Sequence, residues 1–151
     1  MRLPTQTAIF AVALLFAAAA PIEKTRIAGD LQLVVEEIKR DLSIPQNVTV
    51  SVVPANPLLV SVEPVRGQAD AFQLTVEEGF FDRLNDDEVR AAIAHELGHV
   101  WIFTHHPFLQ TERGANQIAM RVVTREALRD VYLKVWQGTG VKGDLARFLG
   151  P

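Results

Sequence analysis

Asn85-Asp86-Asp87-Glu88-Val89-Arg90-Ala91-Ala92-Ile93-Ala94-His95-Glu96-Leu97-Gly98-His99-Val100 is the stretch on which the reading of this chain turns. Its period is helical. Val89, Ile93, Leu97 and Val100 fall at spacings that line up along one helix face. Asn85 is placed to cap the helix, and Glu88 fits the reciprocal position of a capping box. Pro107 disfavours helix at the residue before it, so the helix is expected to end near His106.

On that helix His95 and His99 lie one turn apart on the same face, where two imidazoles can bind one metal. Glu96 stands beside them. The pattern is that of a zinc peptidase, in which zinc acidifies a bound water and a glutamate accepts the proton as the water attacks a peptide carbonyl. The expected cofactor is therefore Zn2+, with Glu96 as the general base. A catalytic zinc needs a third protein ligand, and two candidates exist. Glu112 opens the next predicted helix, with Asn116 one turn further on the same face, suited to accept a hydrogen bond from the distal nitrogen of a ligand histidine. An aspartate at that position is expected to serve as well. The rival is His105, as in the HExxHxxGxxH pattern of metzincins. Ile102 stands where that pattern has its turning glycine. Without the turn, His105 sits about 9 Å beyond His99 along the axis. His106, in the loop that follows, is a candidate for contact with substrate or oxyanion.

Working outward, residues 22–42 read as an amphipathic helix carrying Ile27, Leu31, Val34, Val35, Ile38 and Leu42 on one side. Then the period changes to two. Val48–Val52, Leu58–Glu63 and Phe72–Val76 read as strands separated by Pro54, Pro57, Pro64 and the turn around Gly67. Leu58–Glu63 is the candidate edge to which a substrate strand would add. Beyond Pro107 a single helix is expected from Thr111 to Trp136, which would place Tyr132 about 30 Å from Glu112. Residues 138–151 follow as a Gly-rich C-terminal tail. The order implies an α+β fold: a small three-stranded sheet packed on an N-terminal helix, the HExxH helix and a glutamate helix.

The N-terminus reads differently from the rest. Arg2 precedes an apolar run, Ala8–Ala20, that closes in small residues before Pro21. It falls short of the ~20 residues that cross a bilayer. Residues 1–19 are therefore read as a secretory signal peptide with the mature chain starting near Ala20, leaving a metallopeptidase domain at 20–137. The expected location is the periplasm or the medium, with no stable membrane span after signal removal. Formal net charge is -3, which argues against a nucleic-acid partner. There are no cysteines, which excludes disulfides, thiolate metal sites and cysteine nucleophiles.

Two stretches carry a resemblance to a known family. Gly79-Phe80-Phe81-Asp82-Arg83-Leu84-Asn85-Asp86-Asp87-Glu88 leads into Ala94-His95-Glu96-Leu97-Gly98-His99, and Glu112-Arg113-Gly114-Ala115-Asn116 follows. Together they resemble the gluzincin peptidases of the HtpX and CAAX-prenyl-protease family. The resemblance covers about residues 71–120. It implies that His95, His99 and Glu112 bind zinc, that Glu96 is the general base, and that the substrate is a protein or peptide. Asn116 stands where that family usually has Asp; Asn is common in the ImmA/IrrE gluzincins, which this chain also resembles at HELGH and E-x-x-A-N. The expected function is a zinc-dependent endopeptidase. The alternatives are a non-catalytic, zinc-stabilised binding or chaperone-like module, and a metzincin-like peptidase with His105 as third ligand.

Overall fold

The structure, a computed structural model, describes residues 19–151, with side chains from Ile27 onward. The expected signal peptide lies outside the described residues except for Ala19, where the first helix begins. In chain order the elements are α1 (Ala19–Asp41), β1 (Asn47–Val53), β2 (Val60–Pro64), β3 (Ala71–Glu77), α2 (Glu78–Phe81), α3 (Asp86–His105), a 3-10 turn (Pro107–Leu109), α4 (Glu112–Ala119), α5 (Arg125–Thr139) and α6 (Leu145–Leu149). Among the described residues no helix is long and apolar enough to cross a membrane. The fold is α+β, as the alternation of periods implies.

The sheet has the order β1-β3-β2, with β1 parallel and β2 antiparallel to the central β3. β3 is buried on its inner face, where Phe72, Leu74 and Val76 meet α1 and α3. Leu31, Val35, Ile38 and Leu42 of α1 and Ile93, Leu97 and Val100 of α3 complete this core. The second strand starts two residues later than its apolar run suggests. Asn56 accepts from the Leu58 and Leu59 amides, through its side chain and its carbonyl, and Leu59 takes a positive φ of 65°. Both residues are thus held in a turn, and the extended backbone begins at Val60.

The two sheet edges differ. On β1, the Gln32 side chain donates to the Val48 carbonyl and accepts from the Val50 amide, so α1 pairs part of that edge. On β2, the Leu59–Glu77 and Val65–Ala71 bonds set the ladder phase. Because hydrogen-bonded pairs alternate along an antiparallel ladder, the N–H and C=O groups of Val60 and Val62 point away from β3. Of the two N–H groups, that of Val60 donates to the Leu58 carbonyl and that of Val62 to Glu96 of α3.

α3 begins and ends where its residues require. Asn85 accepts from the Glu88 amide while the Glu88 carboxylate accepts from the Asn85 amide, a complete capping box. Helix gives way at His106, next to Pro107. The single helix expected over Thr111–Trp136 is instead two, α4 and α5, broken at Met120–Thr124. Thr124 accepts from the Ala127 amide and starts α5 afresh. The break lets both apolar faces reach the core. Ala115, Ile118 and Ala119 of α4 and Leu128 and Val131 of α5 are all buried, which one straight helix could not achieve against a compact partner. Lys134 of α5 donates to the Arg83 carbonyl and to Glu88, tying α5 across the start of α3.

Candidate active site

The site is built on the middle of α3. His95 and His99 stack edge to face, 4.8 Å between ring centroids, as neighbours one turn apart do. α3 overshoots them by about one turn and a half, and the chain doubles back through the Pro107–Leu109 turn. Thr111 caps α4 by accepting from the Gly114 amide. Glu112, the first residue of α4, thereby arrives opposite the histidines. Its carboxylate oxygens lie 3.2 Å from His95 Nε2 and 3.4 Å from His99 Nε2. One donor atom from each of the three residues falls within 4.8 Å of the others, a grouping able to hold a metal ion.

Each imidazole is oriented from its far side. His95 Nδ1–H donates to Asn116 Oδ1 at 2.8 Å, and His99 Nδ1–H donates to Gln110 Oε1 at 3.0 Å. The Gln110 amide also donates to the His99 carbonyl, which can only accept, so its oxygen is left to face the ring. With both Nδ1 atoms committed to these outer partners, the two Nε2 atoms are left to face Glu112 at the centre. Hydrogen bonds from His95 and His99 hold the Glu112 carboxyl well below the usual range.

Glu96 points into a cavity of about 480 Å³ that also exposes the two histidines and Glu112. Burial pushes its carboxyl up, against the opposing pull of His95 and His99, and the backbone N–H of Val62 on the β2 edge favours its charged form. The far end of the cavity is apolar, walled by Phe80, Ala92, Leu128, Val131 and Val135.

The structure thus brings His95, Glu96, His99, Glu112 and Asn116 together and leaves two sequence candidates outside. His105 stacks flat on Trp101, 4.0 Å between centroids, and its Nδ1–H donates to the Trp101 carbonyl. His106 leans on the same indole, and neither residue lines the cavity. Tyr132 is the residue the sequence reading put furthest away. The break before α5 turns it back, and its hydroxyl donates to Glu112 Oε2 at 3.2 Å. Burial pushes its phenol up, so it keeps the proton it donates. A signal for the break was present in Val122-Val123-Thr124, a β-branched run ending in a good N-cap residue. Gln110 carried no comparable signal.

Residues 28–146 match the family model of peptidase family M48. The chain belongs to that family. As a member of family M48 it is a metallopeptidase, and His95, His99 and Glu112 form a group that could hold a metal ion. Among solved structures, the crystal structure of the metallopeptidase zymogen abylysin of Pyrococcus abyssi is similar in fold, with a TM-score of 0.52 and 15% identity over 76% of this chain and 99% of that one. A search of curated proteins finds no match to the chain.

Proposed function

We propose that this M48 metallopeptidase is a zinc-dependent endopeptidase of the gluzincin type, with His95, His99 and Glu112 as zinc ligands and Glu96 as general base. The observation that carries the reading is the convergence of two Nε2 atoms and one carboxylate beside a buried glutamate at the β2 edge of the sheet. Two imidazoles and a carboxylate are a catalytic zinc set. Donors at ~2.0–2.1 Å from a tetrahedral zinc stand ~3.4 Å apart, and the Nε2–carboxylate separations here are 3.2 and 3.4 Å. When bound, zinc supplies a Lewis acid that acidifies water and polarises a carbonyl.

The chain's own residues supply the rest. The C=O groups of Val60 and Val62, turned away from β3, can accept from an extended substrate as an added strand, and the Val62 N–H, which now donates to Glu96, can be given over to it. That pairing lays a scissile carbonyl along the cavity beside Glu96. Glu96 takes a proton from the attacking water and passes it to the amine nitrogen as the C–N bond breaks. Asn116 and Gln110 keep the histidines in the ligand tautomer. The apolar end of the cavity accepts a large apolar substrate side chain. The G-F-F-x-x-L-x-D-D-E run and the E-x-x-A-N helix favour an HtpX-like subtype, and the apolar run before Pro21 favours export. An open cavity containing Glu96 favours the enzyme over a closed structural zinc site.

The test is zinc content together with cleavage of a casein-type substrate by the parent and by Glu96→Gln. Zinc in both and turnover in the parent alone is the expected result. Zinc without turnover in the parent would instead favour the non-catalytic module.

A further inference from the structure

Asn116 is fully buried and uses its whole amide. Its oxygen accepts from His95, while its nitrogen donates to the Tyr132 hydroxyl at 2.8 Å and to the Phe148 carbonyl at 3.0 Å. The Phe148 carbonyl can only accept, so the nitrogen must face it and the oxygen must face His95. His95 Nδ1 must then carry a proton, and Nε2 is the nitrogen left to face the candidate metal position. The Tyr132 hydroxyl accepts from Asn116, which leaves its own proton for Glu112. One carbonyl near the C-terminus therefore sets the orientation of groups that reach two of the three candidate ligands.

That carbonyl is itself held firmly. The Phe148 ring stacks on Tyr132, 5.3 Å between centroids and 3° from parallel. Leu149 is buried, and Arg125 donates to the Gly150 carbonyl. Asp144 caps α6 by accepting from the Ala146 and Arg147 amides. Gly143 lies so close to the Trp136 ring that a Cβ there would stand 2.2 Å from it. The glycine-rich segment is thus fitted against α5. Phe148 also lies beyond the residues that match the M48 family.

We propose that the C-terminal segment Asp144–Gly150, acting through Asn116 and Tyr132, is a positioning element of the metal site. The proposal rests on the zinc reading above. It makes metal affinity depend on a short helix that supplies no ligand.

The test compares the parent with Tyr132→Phe, Phe148→Ala and a chain ending at Lys142. Zinc affinity is read by chelator competition, and imidazole 15N spectra of the zinc-free protein report which His95 nitrogen carries the proton. Melting curves check the fold. Outer contacts of metal ligands are typically worth ~10–100-fold in affinity, and a loss in that range is expected for each variant. In the parent His95 Nδ1 should be protonated in every molecule, and in the shortened chain only in part. Adding back a peptide of residues 143–151 should restore both readouts. Should the shortened chain fail to fold, the two point variants decide. Variants that bind zinc as tightly as the parent and keep its His95 form would overturn the positioning role alone. A folded parent that binds no zinc would overturn the zinc reading as well.

Discussion

Gly98 and Ala115 meet backbone to backbone: a Cβ built on Gly98 would lie 2.4 Å from the Ala115 carbonyl oxygen. This contact sets the spacing of α3 and α4, and with it the distance from the histidines to Glu112. No side-chain rotation relieves a clash with backbone, so even alanine must push the helices apart. Gly98→Ala is expected to cost about 1–3 kcal/mol, the usual range for overpacking, and to lose metal. Urea denaturation and metal analysis of the purified variant check both. A stable variant with full metal content would show that α4 can shift without harm to the site.

Glu112→Ala should lose most bound metal, whereas His105→Ala should retain it. His105 is committed to Trp101 by stacking and by a hydrogen bond, on the side of α3 away from the cavity. Metal stoichiometry of the two variants is the measurement. The opposite result would mean that the chain after Ile102 turns in a way this fold does not show.

Glu96→Gln should keep its metal and fold and lose about 10²–10⁴ in rate, the range of a general base. Gln has the same shape but cannot take a proton from water. Single-turnover assays on a peptide substrate read this directly, and near-parent rates would remove Glu96 from the chemistry.

Asn116→Asp reverses an expectation drawn from the sequence. An aspartate could accept from His95, but its second oxygen would face the Phe148 carbonyl, where Asn116 now donates at 3.0 Å. Two acceptors buried face to face lack the lost bond and repel. The substitution should destabilise by about 1–3 kcal/mol or more, seen as a lower melting temperature. Unchanged stability would require the segment around Phe148 to move away.

Val131→Phe should narrow the apolar end of the cavity, which Val131 lines at 8% exposure. Cleavage next to large apolar residues should fall relative to cleavage next to alanine, by about 10-fold or more, as pocket-size changes do. Ratios of kcat/KM on paired peptides test this. Equal losses on both peptides would place the substrate side chain elsewhere.

The sequence by itself determined the first helix, the three strands and the helix that carries His95 and His99. Local rules suffice for that: the capping pair Asn85 and Glu88, the helix stop at Pro107, the alternation of Val48, Val50 and Val52, and the one-turn spacing of His95 and His99 all act within a few residues. The short return from His106 to Glu112 was legible too, because Gly98 marks a close approach. What only the tertiary structure decided is how the second half of the chain surrounds the candidate site. A straight helix and a broken one have nearly the same local pattern over Thr111–Trp136. The choice between them rests on burying Ala119 on one side and Leu128 on the other. That choice carries Tyr132 from about 30 Å along a helix to hydrogen-bonding distance of Glu112. It also brings the Phe148 carbonyl under Asn116. Hydrogen bonds between groups 16 and 32 residues apart leave no period or motif in a sequence; they exist only once the core has fixed where each helix lies.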